Sequence, residues 1–203
     1  MSWKSSAPGS SPEQETDLAA DGYLKDQFLL AMPGLAGSYF ADTVTYLCEH
    51  NAEGAMGLVI NRPGELTLVE LLAQVGLGTG RVSVDIPVMQ GGPVATERGF
   101  ILHSDDRHFE ASVAVGDGLM LTAAREILEA IAEGRGPEHY LVALGYAGWG
   151  EGQLEAELKD NAWLSCPADP SIIFEVPFED RVNRAAEALG IDFRLISGQA
   201  GHA

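Results

Sequence analysis

A thiol, an imidazole and a guanidinium lie close together in the segment Tyr46–Pro63, YLCEHNAEGAMGLVINRP. Cys48 and His50 are the pair in this segment that could act as nucleophile and base, because a nearby cation makes a thiolate reactive by lowering its pKa. Two residues apart on a strand, their Cα atoms would be separated by roughly 6–7 Å, which does not place the sulfur and the imidazole in line for proton transfer. Catalysis would also need a third group that orients the base. The alternative interpretation is that Cys48 packs as a small apolar side chain.

The elements that must position these groups are predicted from the same segment. Val44–His50 is rich in β-branched and aromatic residues and predicts a strand. Asn51–Gly54 supplies a turn, and the apolar run Ala55–Ile60 predicts a return strand that is covered on both faces. Because side chains alternate across a strand, Cys48 and His50 are expected on the same face.

Asn61 and Arg62 come at the end of the return strand. Polar groups at strand ends can line a site, or they can satisfy the backbone groups of neighbouring loops. The rigid fork of Arg62 suits a carboxylate or a phosphate. Its partner is predicted to be internal, such as Glu49, or else an anion in a cleft that Arg62 shares with Asn61, His103 or Arg98.

Two further segments contain candidate groups. Gly91 and Gly92, followed by a proline, could hold an anion or could form a plain turn. His103 lies in an acidic loop whose spacing matches no compact ligand geometry, so we expect no metal site there. Trp149 stands in a glycine-rich stretch, where it could form an aromatic wall with Tyr146 or fill the core beneath the following helix.

Composition limits the possible functions. The 203 residues carry a net charge of −18, from 30 acidic and 12 basic residues. Binding to nucleic acid or to an anionic membrane surface is therefore disfavoured, since both need a basic patch. We find no P-loop, HExxH or GxSxG motif, and we expect no cofactor. The absence of a long apolar run and of a secretory signal, together with only two cysteines, predicts a cytoplasmic protein.

The chain predicts one domain over residues 23–197, with a disordered N-terminal tail over 1–22 and a frayed C-terminus over 198–203. Helices are predicted over 66–75, 123–133, 152–160 and 179–189, and further strands over 82–89, 99–103, 111–115, 139–146, 163–164 and 172–174. Thr67, with Glu70 three residues later, predicts a capping box at the start of the first of these helices. Because these elements do not alternate regularly, an α+β fold with a mixed sheet is favoured over a doubly wound fold.

Four segments, in order along the chain, resemble the AlgH/YqgE family of bacterial proteins: Phe28–Phe40, Tyr46–Pro63, Gln90–His103 and Ala143–Leu164. The resemblance implies a single α+β domain with a mixed, partly barrel-like sheet and flanking helices. It supplies no catalytic residues, because that family has no established reaction. One member carries a name that implies regulation of alginate genes, which suggests a regulatory connection.

These observations predict a soluble cytoplasmic binding or regulatory protein that acts through a small anionic ligand or a protein partner and influences transcription only indirectly. The alternatives are a thiol-dependent enzyme or redox sensor that uses Cys48, and a DNA-binding regulator, which the charge disfavours. No oligomeric state is predicted. The candidate ligand-binding residues are Cys48, His50, Asn61, Arg62, Gly91, Gly92, Arg98, His103 and Trp149.

Overall fold

The computed structural model of the chain describes residues 23–82 and 86–193. The predicted tail over 1–22 and the predicted C-terminus over 198–203 lie outside the described residues, as does the middle of the predicted strand over 82–89. In the part that is described, no helix is long and apolar enough to cross a membrane.

The described residues form ten strands and five α-helices. The strands are β1 (Gln27–Ala31), β2 (Val44–Asn51), β3 (Gly54–Val59), β4 (Pro63–Thr67), β5 (Pro87–Gln90), β6 (Val94–Ser104), β7 (Ser112–Gly116), β8 (Leu119–Thr122), β9 (Tyr140–Gly150) and β10 (Trp163–Pro167). The helices are α1 (Leu68–Gln74), α2 (Arg125–Ala132), α3 (Gln153–Lys159), α4 (Pro170–Phe174) and α5 (Arg181–Glu187).

The strands form one curled sheet whose main path runs β10-β1-β2-β3-β9-β6-β8-β7. Neighbours on this path are antiparallel, whereas β5 pairs with β9 in parallel, so the sheet is mixed. The sheet curls until β7 meets the start of β1. There Lys25 Nζ donates to the carbonyl of Ala114 at 3.1 Å, and the amide of Asp117 donates to Asp26 Oδ2 at 3.2 Å. The predicted α+β domain with a mixed, partly barrel-like sheet is confirmed.

The core is divided between the two faces of the sheet. On the inner face, buried side chains such as Phe28, Tyr46 and Leu102 pack against α4 and α5. On the other face, α1 and α2 cover one part of the sheet, and α3 covers another part around Trp149 and Trp163. β9 pairs with β3, β5 and β6 and is therefore the central strand of the sheet, with packed side chains on both of its faces.

The predicted helix start at Thr67 is confirmed, because Thr67 and Glu70 form a reciprocal capping box. The predicted strand over 172–174 is wrong, since these residues belong to α4. Asp169 caps α4 by accepting a hydrogen bond from the amide of Ser171 at 2.9 Å, and Pro170 occupies its first turn. The sequence also did not predict β4 or β8. Pro63 is compatible with β4 because it is the first residue of that strand.

Candidate functional site

A β-bulge in β2 separates the two groups that the sequence paired as nucleophile and base. Leu47 is opposite Gly57 and Glu49 is opposite Met56, which leaves Cys48 as the extra residue. Cys48 packs into the inner core, whereas His50 contacts α3 on the other face of the sheet. The expectation that Cys48 and His50 share a face is therefore wrong, because the extra residue reverses the alternation of side chains beyond it.

Cys48 is a buried thiol in apolar surroundings. Its side chain is 2% exposed, and its sulfur lies 3.9 Å from the carbonyl oxygen of Tyr46. Burial raises the pKa of this thiol to about 12, which keeps it protonated at neutral pH. The geometry therefore offers no activated nucleophile at Cys48.

His50 connects the start of the domain to α3. Its Nδ1 accepts a hydrogen bond from the amide of Leu24 at 2.8 Å. Nε2 therefore carries the proton of the neutral ring, and it lies 3.1 Å from Glu155 Oε1. Tyr23 packs edge-on against the ring, with the centroids 5.1 Å apart. Both ring nitrogens of His50 are thus used inside the fold.

Asn61 holds the loop that precedes β2. Its Oδ1 accepts from the amide of Val44 at 2.9 Å, and its Nδ2 donates to the carbonyl of Asp42 at 2.9 Å. These bonds satisfy backbone groups that the end of β3 leaves without strand partners.

Arg62 holds the same loop from its other side. Its guanidinium donates to the carbonyl of Tyr39 and, at 3.0 Å, to the carbonyl of Ala41. It also lies 4.7 Å from the centroid of the Tyr39 ring. Among the described residues Arg62 makes no ion pair with Glu49 or another carboxylate, so backbone carbonyls take the place of the expected internal acid.

Gly91 and Gly92 cross the backbone of β9 at close range. The amide of Gly91 donates to the carbonyl of Leu144 at 2.8 Å, and its carbonyl accepts from Val59 at 2.8 Å. A Cβ atom on Gly92 would lie 1.9 Å from the carbonyl carbon of Tyr146. These glycines therefore allow two backbones to pack together, which only residues without a side chain permit.

His103 is fully buried in a directed chain of hydrogen bonds. Its Nδ1 donates to the carbonyl of Ser104 at 2.7 Å, so its Nε2 accepts from the hydroxyl of Thr122 at 2.9 Å. Ser112 Oγ lies 2.7 Å from that hydroxyl and accepts from the amide of Phe109 at 3.1 Å. The chain fixes the loop between β6 and β7 and requires a neutral imidazole.

Acidification is expected to destabilise the fold through His103. Burial lowers the pKa of His103 below its ordinary value of 6.5, so the unfolded chain binds a proton at a pH where the folded chain does not. The stability that the neutral His103 contributes to the fold is fully present above pH 6.5. It declines as the pH falls from there toward the lowered pKa of the folded chain. Urea unfolding over a series of pH values would measure the slope. His103→Gln should lose part of it, and an unchanged slope in that variant would contradict the prediction.

Trp149 fills the core beneath α3. Its Nε1 donates to Glu157 Oε2 at 2.9 Å, and Nε1 of Trp163 donates to the same oxygen at 2.7 Å. The ring of Phe40 stacks on Trp149 with centroids 6.2 Å apart. The indole is therefore part of a buried aromatic cluster rather than an open wall.

Arg98 is a sequence-predicted candidate whose charged group is available to bind another molecule. It is exposed on β6, its guanidinium lies 5.1 Å from the centroid of the Phe100 ring, and it makes no ion pair with any described residue. The positive φ of Ala95, 47°, marks the irregular stretch in which β6 leaves its register with β9 between Val94 and Gly99. In this irregular stretch the side chain of Arg98 lies at the edge of a surface cleft.

We call this depression the hairpin cleft, and its volume is about 620 Å³. It lies between the tip of the β2–β3 hairpin and the start of β6. Its lining residues include Glu49, Glu53, Met56, Val94, Arg98, Phe100, Tyr146, Gly148 and Trp149. Two of the predicted candidates, Arg98 and Trp149, line this cleft. The indole ring of Trp149, however, packs beneath α3 on the opposite face of the sheet. The sequence did not indicate Phe100, although its period-two spacing from Arg98 places both on one face.

The fold and the site define a single-domain α+β protein with a curled mixed sheet and an open surface cleft. A family model described as AlgH-like (DUF179) matches residues 28–194. The chain belongs to this family. A UPF0301 protein of Pseudomonas entomophila is 55% identical over 186 residues, which cover 91% of this chain and 98% of that protein.

The solved structures that resemble this one include two of very different sequence identity. The solution structure of the AlgH protein from Pseudomonas aeruginosa has a TM-score of 0.75 and 50% sequence identity, covering 97% of this chain and all of that chain. A crystal structure of a protein from Corynebacterium diphtheriae has a TM-score of 0.65 at 19% identity and covers 79% of this chain and 86% of that one. The second likeness concerns the fold alone.

Proposed function

We propose that this protein is a cytoplasmic binding or regulatory protein that holds a segment of a protein partner in the hairpin cleft. The observation that carries the proposal is the contrast between Arg98 and the other predicted polar candidates. The polar groups of His50, Asn61, Arg62 and His103 bind neighbouring parts of the fold. Arg98 makes no ion pair with the described residues and stands beside an aromatic floor.

The charges around the cleft favour a peptide over a small anion. Glu49 and Glu53 line one side, and Arg98 lines the other. A small anion attracted by Arg98 would also meet the two carboxylates, whereas a peptide with an acidic and a basic side chain can place each opposite its complement. The floor contains Met56 and Phe100, which would contact the apolar part of such a segment.

A regulator that acts through a protein partner needs no contact with DNA. This agrees with the net charge of −18, because DNA affinity depends mainly on basic groups that neutralise phosphates. An indirect influence on transcription therefore fits the same proposal. Thiol chemistry at Cys48 has less support, since burial raises the pKa of that thiol.

A photo-crosslinking residue at Val94 is expected to capture a defined partner in cells. Val94 lines the cleft and is 38% exposed, and Val113 on β7 is a matched control that is 61% exposed and outside the cleft. The Val94 substitution should give a discrete crosslinked species, identified by mass spectrometry, that Val113 does not give. Arg98→Glu should weaken binding of the purified partner at least tenfold, because it places a like charge opposite the partner's acid.

Arg107→Glu is the control for that charge reversal, since Arg107 is exposed and lies outside the cleft. It should leave the affinity unchanged. Equal crosslinking from the two valines, or a partner whose affinity is the same for wild type and Arg98→Glu, would show that the hairpin cleft is not the binding surface.

A further inference from the structure

A second cavity is lined by Arg181, a cation that the sequence did not single out. It has a volume of about 280 Å³ and lies between β5, β9 and the segment that connects α4 with α5. We call it the Arg181 cavity. Its apolar lining includes Met89, Leu141, Ile173, Phe174, Val176 and Phe178.

Arg181 is 7% exposed and is only partly satisfied by the fold. Its Nε donates to the carbonyl of Val176 at 3.0 Å, and Nη1 donates to the carbonyl of Ile60. Nη2 makes no hydrogen bond with the described residues, although a guanidinium has five N–H groups to donate. The carbonyl oxygens thus orient the guanidinium and leave one side of it available.

No carboxylate in the described part of the chain forms an ion pair with Arg181. Glu179 is exposed and acts on it only at longer range. A charge that is removed from water is costly unless an opposite charge accompanies it. Burial lowers the pKa of Arg181 to about 10, so the group remains a cation at neutral pH and the cost remains.

We infer that the Arg181 cavity binds a small monocarboxylate with an apolar body, whose carboxylate accepts hydrogen bonds from the free side of the guanidinium. Two N–H groups of a guanidinium match the two oxygens of a carboxylate. A dianion such as phosphate fits less well, because the lining supplies no second cation and includes Glu175. The apolar walls match a short aliphatic or aromatic stem, and the volume limits its size.

Tyr140 supplies a second polar group in the same lining. Burial raises the pKa of Tyr140, so its hydroxyl retains the proton that it would donate to a carboxylate. This site is separate from the hairpin cleft and shares no lining residue with it. It therefore does not depend on the proposed protein partner.

Titration of the full chain with valerate, followed by the NMR signals of the arginine Nε–H groups, tests the inference. The Arg181 signal should shift and saturate with valerate. It should not respond to valeramide, which has the same shape without the charge, and it should respond less to inorganic phosphate. An unresponsive Arg181 signal, an equal response to valeramide, or a stronger response to phosphate would overturn the inference.

Two variants connect the response to the cavity. Val176→Phe narrows the cavity while its backbone carbonyl still accepts the bond from Arg181, so valerate affinity should fall at least tenfold. Arg184→Lys alters an exposed arginine on the same helix that pairs with Glu187, and it should leave the affinity unchanged. Arg181→Lys, if it folds, should also lose the binding. Unchanged affinity in Val176→Phe would place valerate elsewhere and refute the site.

Discussion

Gly92→Ala is expected to destabilise the protein by on the order of 3 kcal/mol or more, which is a large part of the stability of an ordinary domain. The new Cβ would lie 1.9 Å from the carbonyl carbon of Tyr146 and 2.3 Å from the amide nitrogen of Ala147. Both atoms belong to the backbone of β9, the strand that pairs with β3, β5 and β6. No flexible side chain can move away to relieve the clash.

Gly99→Ala is the matched control for this prediction. Gly99 lies in the neighbouring part of the same segment, and a Cβ atom there would meet nothing within 4 Å. The free energy of unfolding, measured with urea, should therefore change little in Gly99→Ala and fall sharply in Gly92→Ala. If the two variants were equally stable, the close crossing of Gly92 and β9 would have no energetic significance.

The sequence predicted the fold where a local pattern determines the local structure. The capping box of Thr67 and Glu70 specified the start of α1, and the apolar run ending at Ile60 specified β3. The prediction of a strand at residues 172–174, which lie in α4, was wrong because a short apolar run is compatible with either a strand or a helix. The Asp169-Pro170 pair carried the deciding signal, since it forms the cap and first turn of that helix.

The candidate site was harder to predict because a single bulge changes which groups meet. The residues of the β2–β3 hairpin were correctly placed on two strands, but the extra residue at Cys48 turned His50 to the other face. The spacing of residues along a chain does not reveal such an insertion. The partners of Asn61 and Arg62 were also invisible in the sequence, because they are backbone groups of a loop that any residues could supply.

Trp149→Ala is expected to lower the free energy of unfolding by about 3–5 kcal/mol. The indole is 6% exposed and packs against Phe40 and Trp163. Its removal would leave a large cavity beneath α3. It would also remove one of the two indole donors that share Glu157 Oε2, the atom through which α3 is connected to β9 and β10.

Trp149→Phe separates packing from hydrogen bonding in this prediction. Phenylalanine keeps one aromatic ring beside Phe40 and loses the donor to Glu157, whose Oε2 still accepts from Trp163. It should therefore cost about 1 kcal/mol for the lost hydrogen bond, clearly less than alanine. Urea unfolding would compare the two variants directly. If Trp149 were instead an exposed ligand wall, alanine would impair crosslinking from Val94 while leaving stability nearly unchanged, and that result would contradict its assignment to the core.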